Sequence, residues 1–457
     1  MTTPSRPKLT VFTKLIYGSG DLGFALSDAM LGVLIAIFLV DVVGLRPELA
    51  AAAVFIGRTW DYINDPLFGY ISDRTRTRWG RRRPFLLFGF IPYALAFTLL
   101  WWKPPFSEQL ALAIYYAAAY AFYDSAASFA YMPYYALTPE LSDDYDERTS
   151  LTTYRMVFSI VGSMIAFTLP LALIGTMRPE NSGKILLVGA AMAAVSAMPL
   201  LLVFLGTRER AEHLELPPPG LKESLQAAIR NKAFLYTMGI FLFTFTGLEI
   251  IQGILLFYLK YRMGLETQGD TILAAMFITA LLSLPLWNWI SGRWDKRTAY
   301  ITGMLYLALV MTLTLAIQPD WGLSAVMILA VLAGAGFGCV QVLPWAIIPD
   351  VVEYDELQSG QRHEGMFYSL VTLFRKVASS LAIPSTLMLL GWAGYVANAP
   401  QQSPRVVGGM VALMGPIPAL LFLAGAVFAL RLPITRQDFA RVRQELEKKR
   451  SSSMKID

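Results

Sequence analysis

Gly69-Tyr-Ile-Ser-Asp73-Arg74-Thr-Arg76-Thr-Arg78-Trp-Gly80-Arg81-Arg82-Arg83 is an arginine-dense stretch, and a fainter copy, Trp289-Ile-Ser-Gly-Arg293-Trp-Asp295-Lys296-Arg297, recurs later in the chain. A second echo runs alongside the first. Pro133-Tyr-Tyr-Ala-Leu-Thr-Pro139-Glu140, followed by Asp146-Glu147, matches Pro344-Trp-Ala-Ile-Ile-Pro349-Asp350, followed by Asp355-Glu356. Two echoes in the same order indicate a duplicated chain. Charge clusters set between long apolar runs are the pattern of a protein that crosses a membrane many times.

Outward from these stretches, the apolar runs number twelve. They cover roughly 12–40, 48–72, 84–103, 108–141, 150–176, 184–205, 233–261, 270–293, 298–317, 322–350, 363–392 and 405–430. A bilayer needs about 20 apolar residues per helix. The expected fold is therefore all-α and polytopic, with twelve transmembrane helices in two pseudo-symmetric six-helix bundles, 1–205 and 233–430. The polar stretch 206–232, with Pro217-Pro218-Pro219, reads as a cytoplasmic linker. The tail 431–457, with Arg441, Arg443, Lys448, Lys449 and Arg450, reads as an amphipathic helix lying on anionic lipid. Most of the 38 lysines and arginines fall on one set of connections. That bias predicts both termini in the cytoplasm and a multi-pass protein of the inner (plasma) membrane.

Composition agrees and narrows the function. The 457 residues are 55% hydrophobic and 16% charged, against about 25% charged in soluble domains. Mean hydropathy is +0.50, and the pI near 9.1 reflects basic residues beside the spans rather than a nucleic-acid surface. A lone Cys339 and two histidines, His213 and His363, exclude an internal disulfide, a cysteine metal cluster and a multi-histidine site. Gly334, Gly336 and Gly338 follow no strand, so they read as close helix contacts rather than a dinucleotide fingerprint. No zinc-protease, phosphate-loop or Ser-His-Asp pattern sits on a suitable element, so neither an enzyme nor a cofactor is expected. The polar start, Met1 to Leu9, lacks a cleavable signal pattern, so the first span is expected to be retained.

The chemistry concentrates in the second span, at Arg58-Thr-Trp-Asp61-Tyr-Ile-Asn64-Asp65-Pro66. Asp61 and Asp65 share a helix face, with Arg58 one turn earlier. Ionised groups at that depth are costly, so a small-cation site is the default reading. Paired carboxylates repel unless a cation or proton sits between them, and oxygen ligands suit Na⁺ or hydronium. Arg58 could equally serve only to neutralise Asp61. At the helix ends, Asp73, Arg81, Glu140, Arg293 and Asp350 form matching basic and acidic clusters. These could pair across the halves as a latch, or act as topology signals and solvated caps. Glu249 and Gln252, one turn apart on the seventh span, could line a cavity or make helix–helix hydrogen bonds, with Asn288, Gln341 and Asn398 as further polar candidates.

These residues carry a family resemblance. The chain resembles the major facilitator superfamily and, within it, the glycoside–pentoside–hexuronide:cation symporters. The matching segments are Tyr17-Gly-Ser-Gly20, Asp41-Val-Val-Gly-Leu45, Arg58 to Pro66 with the arginine-rich loop, Asp350 to Tyr354, and Gln361-Arg-His-Glu364 leading to Arg375-Lys376. The resemblance implies cation-coupled symport by alternating access, with a small-molecule solute and a monovalent cation as partners, membrane lipid around a monomer, and no nucleic acid. It implies that Asp61 and Asp65 are the cation pair, with oxygen donors at Asn64 and Ser128. It places Arg155 near solute and gate, and Lys376 near the ion. Where the sugar carriers hold sugar hydroxyls with carboxylates, this chain has Ala25 and Tyr131. Asp21 and Asp28 flank Ala25 by one turn on either side, and Asp124 precedes Tyr131 on the same face. The expected cargo is a sugar, glycoside or sugar acid, contacted by Asp21, Asp28, Arg58, Tyr131, Tyr135, Arg155 and Lys376. The alternative is a lysophospholipid or other amphiphile, because the sodium-dependent lysophospholipid carriers also resemble this chain in their paired aspartates.

Overall fold

The structure, a computed structural model, describes residues 9–142, 145–209, 231–359, 364–433, 441 and 444–445. Most of the expected tail helix, most of the linker and Gln361 to His363 lie outside the described residues. Within hydrocarbon every backbone N–H and C=O must find an internal partner, so each apolar run closes on itself as a helix. The twelve spans are α1 (Val11–Ile37), α2 (Pro47–Arg74), α3 (Arg83–Leu100), α4 (Gln109–Ala136), α5 (Tyr145–Ile174), α6 (Ser182–Gly206), α7 (Lys232–Phe257), α8 (Gly269–Arg293), α9 (Lys296–Leu313), α10 (Gly322–Ser359), α11 (Glu364–Ala393), and a last span built from α12 (Pro404–Met414) and α13 (Pro416–Leu430). Among the described residues nine spans are long and apolar enough to cross a membrane by composition alone. The other three, α2, α4 and α9, carry charges or many tyrosines.

The described chain packs as two compact units: Met1–Leu216 with Ile383–Gln401, and Pro217–Ala382 with Gln402–Asp457. In the first unit α1 packs on α5 and α6, α2 on α4, and α3 on α4 and α6. In the second, α7 packs on α12 and α13, α8 on α10, and α9 on α10 and α13. The pairings of α1 with α6, α2 with α4, and α3 with α4 and α6 recur in the second unit, as duplication predicts.

The echo extends to helix termination. Both leading helices, α1 and α7, unwind into a π turn, Phe38–Val42 and Tyr258–Met263. Each turn is followed by a glycine of positive φ, Gly44 at 85° and Gly264 at 68°. The next residue then bonds back six positions, Leu45 N–H to the Leu39 carbonyl at 3.0 Å and Leu265 N–H to Leu259 at 2.8 Å.

Membrane helices associate through close packing and interhelical hydrogen bonds rather than through hydrophobic burial. Gly162 brings α5 so near α1 that a Cβ there would lie 2.3 Å from the Leu22 carbonyl oxygen. In the second unit, Gly334 does the same against the Met276 carbonyl oxygen, at 2.2 Å. The tight helix contacts expected of Gly334, Gly336 and Gly338 are thus present. Buried hydroxyl pairs add a matching link between the first and third helices of each unit, Ser27 with Tyr93 and Thr244 with Tyr300.

Two boundaries differ from the sequence reading. α10 continues past Pro344 and Pro349 to Ser359, so Asp350 and Asp355 ride on the helix instead of ending it. Neighbouring helices in a bundle make good the bonds that proline removes, so an apolar helix survives it. α5 starts at Tyr145, which places Glu147 on its first turns, where it accepts from Lys14 Nζ at 3.1 Å.

Candidate cation and solute site

The second and fourth helices are joined by three polar rungs. Gly57 permits this approach, since a Cβ there would lie 2.4 Å from the Tyr120 side chain. At the first rung, Arg58 Nε donates to the Tyr120 hydroxyl at 2.9 Å. At the second, Trp60 Nε1 and Asn64 Nδ2 both donate to Ser125 Oγ, at 3.1 and 3.0 Å. At the third, Ser128 Oγ lies 2.7 Å from Asp65 Oδ1 and 3.1 Å from Asp61 Oδ1. The i, i+4 spacing on α2 aims both aspartates at α4, and the Tyr120–Asp124–Ser128 spacing on α4 returns one face to them.

The third rung has the character of an ion site. A hydroxyl carries one proton and can satisfy only one carboxylate at a time. Both acceptor oxygens nevertheless lie within one hydrogen bond of it, so they are no farther apart than two such bonds laid end to end. Two negative charges at that range in a half-buried setting destabilise each other, and a cation or proton between them removes the repulsion. With an ion present, the hydroxyl can rotate and offer a lone pair. Two carboxylates and a neutral oxygen suit a monovalent cation. Among the described residues no group of three or more His, Cys, Asp or Glu gathers as a metal site. Asn64 directs its amide N–H₂ at Ser125, a residue that the sequence reading missed.

A second polar constellation lies on α1 and α5. Arg155 Nε meets Asp21 Oδ2 at 2.9 Å, with side-chain exposures of 15% and 8%. The guanidinium lies 4.6 Å from the ring centre of Tyr135 and 5.5 Å from that of Tyr134, a cation–π arrangement that strengthens on desolvation. The two residues are 134 positions apart, and nothing in local spacing announces their pairing. Tyr131 is fully buried, stacked obliquely on Phe24 at 5.0 Å, with its hydroxyl toward the Ser196 carbonyl oxygen. Asp28 is half-buried on α1, within electrostatic range of Tyr93, Tyr120 and Tyr123, and Asp124 is likewise within range of Tyr120. Lys376 is half-buried on α11, in the second unit.

The helix-end charges pair within each unit. Glu140 accepts from Arg81 at 2.6 Å and from Arg82 at 3.2 Å. Lys296 meets Asp350 at 2.6 Å, and Arg293 lies over the Trp289 ring. The Asp73 side chain lies outside the described residues. Glu209, just past α6, was not foreseen. Its carboxylate accepts from the backbone N–H groups of Arg81, Arg82 and Arg83 at 2.6, 2.7 and 2.7 Å, capping the start of α3.

A protein-family model described as MFS/sugar transport protein matches residues 16–436. The chain belongs to that family. It is similar to an uncharacterized symporter of Synechocystis, 32% identical, over 98% of this chain and 99% of that one. It is also similar to a zebrafish sodium-dependent lysophosphatidylcholine symporter, 28% identical, over 94% of this chain and 87% of the relative. Among solved structures, an inward-open xylose transporter of E. coli aligns with a TM-score of 0.66 at 13% identity, over 92% of this chain and 96% of that one. A nucleoside transporter aligns at 0.64 and 14% identity, over 93% and 98%. These two likenesses carry the major facilitator fold. The family member described here is thus a multi-pass membrane transporter or symporter, and not an enzyme.

Proposed function

We propose that this protein is a sodium-coupled symporter in which Asp61, Asp65 and Ser128 hold the ion and cargo moves by alternating access. The observation that carries the reading is the single Ser128 hydroxyl shared between two carboxylates. Such a pair is poised to take up one positive charge, and its oxygen donors favour Na⁺. Sodium dependence in the names of the lysophosphatidylcholine symporters supports the ion. Coupling is reciprocal: cargo tightens Na⁺ by the factor by which Na⁺ tightens cargo.

The cargo we assign is an amphiphile with a phosphate-bearing head. Ala25 and Tyr131 stand where the sugar carriers resembled by this chain use carboxylates, and Tyr131 is sealed among aromatic rings. Arg155, backed by Asp21, supplies the planar donor fork that suits phosphate. The lysophosphatidylcholine symporters and a mouse sphingosine-1-phosphate transporter are relatives with such cargo. A sugar or sugar acid is the second reading, favoured by the family description. The bias of basic residues toward one set of connections supports both termini in the cytoplasm.

The test is uptake into proteoliposomes. An inward Na⁺ gradient should drive accumulation of labelled lysophosphatidylcholine, and replacing Na⁺ by K⁺ should stop it. Uptake that ignores both the Na⁺ and the proton gradient would end the symporter reading. Na⁺-driven uptake of a glycoside in place of the lipid would move the cargo to the second reading.

A further inference from the structure

The end of α11 and the turn after it, Ile383–Gln401, pack with the first unit, although the chain on either side belongs to the second. The contacts that hold this segment are specific. Asp41, in the π turn of α1, is fully buried. Its carboxylate accepts from the Tyr395 hydroxyl. Its backbone carbonyl accepts from Asn398 Nδ2 at 2.7 Å. Beside it, the Val42 carbonyl accepts from Lys103 Nζ at 2.8 Å, which steadies the π turn from the α3 side. Asn398 has a φ of 54°, a left-handed conformation that asparagine tolerates better than most residues. Gly391, in the last turn of α11, lies against the first turn of α2, where a Cβ would come 2.2 Å from Glu48 Oε1.

We propose that Tyr395 and Asn398 form a clasp on Asp41 that holds the end of α11 to the first unit and releases once in each transport cycle. The proposal rests on the carrier assignment and on no particular ion or cargo. A buried carboxylate that accepts from a hydroxyl on this segment makes a two-position device: docking keeps that hydrogen bond, and undocking forfeits it. The π turn is what turns Asp41 and its carbonyl toward the segment, since the wider turn frees backbone groups from the regular ladder. α11 has its own point of flexure, because Pro384 lies just past the Ala382/Ile383 boundary and deprives the helix of one hydrogen bond. Asp41 and Tyr395 act in this proposal as positioning residues, through each other.

Hydrogen–deuterium exchange in lipid nanodiscs tests the clasp without knowing the cargo. Amides of 395–401 should exchange roughly 10-fold faster or more in Asp41→Asn, Tyr395→Phe and Asn398→Ala than in the wild type, with α3 unchanged, as expected for losing a hydrogen bond to a charged or buried group. Cross-linking Glu48→Cys to Gly391→Cys with a short bismaleimide should slow the same amides below the wild-type rate. Cys339 is buried and stays out of that reaction. The locked protein should also move lysophosphatidylcholine no faster than protein-free liposomes. A cross-link that leaves exchange unchanged marks a permanent anchor and overturns the proposal. Full uptake by the locked protein does the same. If the unlocked protein fails to move this lipid, the cargo reading falls and the exchange result alone decides the clasp.

Discussion

Ser128 places one proton between two acids, and the consequences can be measured residue by residue. Asp61→Asn and Asp65→Asn should each remove the stabilisation that Na⁺ confers, which for the wild type reaches about 2.7 kcal/mol at a hundredfold excess over Kd. A thermal-unfolding titration with NaCl against KCl reads it, and a retained Na⁺ shift in both variants would remove the site from these residues. Ser128→Ala should keep the fold and weaken Na⁺ binding by roughly 10-fold, the worth of one good oxygen contact. The Arg155–Asp21 pair gives a second test. Neutralising one partner leaves a buried charge alone and should cost about 3–5 kcal/mol, whereas Asp21→Asn with Arg155→Gln should cost less than either change alone. Equal or additive losses in a denaturation cycle would show that the two act separately. The acids of α2 were legible in the sequence because an ionised group inside an apolar run stands out. Tyr120 and Ser125, the α4 partners of Arg58 and Asn64, were not, since a tyrosine or serine there looks like any helix-packing residue.

Helix positions were legible for a related reason: a bilayer demands long apolar runs, and the runs are there to count. The ends were harder to place. Pro349 followed by Asp350 looked like a stop, yet α10 runs on to Ser359 because its surroundings replace the hydrogen bonds proline removes. Contacts between helices follow from packing that no local pattern encodes, as the Glu209 cap on α3 illustrates. Glu209→Ala should release three backbone N–H groups and cost about 0.5–2 kcal/mol, the usual value of a helix cap. Faster amide exchange confined to residues 81–86 is the expected signature, and exchange equal to the wild type would deny the cap any role. Gly57→Val should push α2 from α4 at Tyr120, at a cost of about 1–3 kcal/mol from overpacking. The midpoint of unfolding should fall, and Na⁺ affinity should fall with it, because the same seam holds both aspartates.

Across the whole molecule, duplication was readable from two charge echoes, while the matching π turns of α1 and α7 had no sequence signal beyond a Gly-Leu pair after each. The proposed orientation can be checked directly: a fluorescent protein fused after Asp457 should glow and an alkaline phosphatase fusion there should stay inactive, the reverse result inverting the topology. The duplication is incomplete in one respect. α2 carries Arg58, Asp61 and Asp65, but its counterpart α8 has no ionisable residue between Thr271 and Gly292. On the proposed reading α2 would carry the coupling charge, and α8 offers no counterpart to it. A single monovalent ion riding with an uncharged or zwitterionic passenger draws about 2.3 kcal/mol from each 100 mV of membrane voltage. That is a concentration ratio of roughly 50, and the ion's own gradient adds to it. The bare face of α8 would thus set a ceiling on how steeply a cell using this carrier could hoard what it carries.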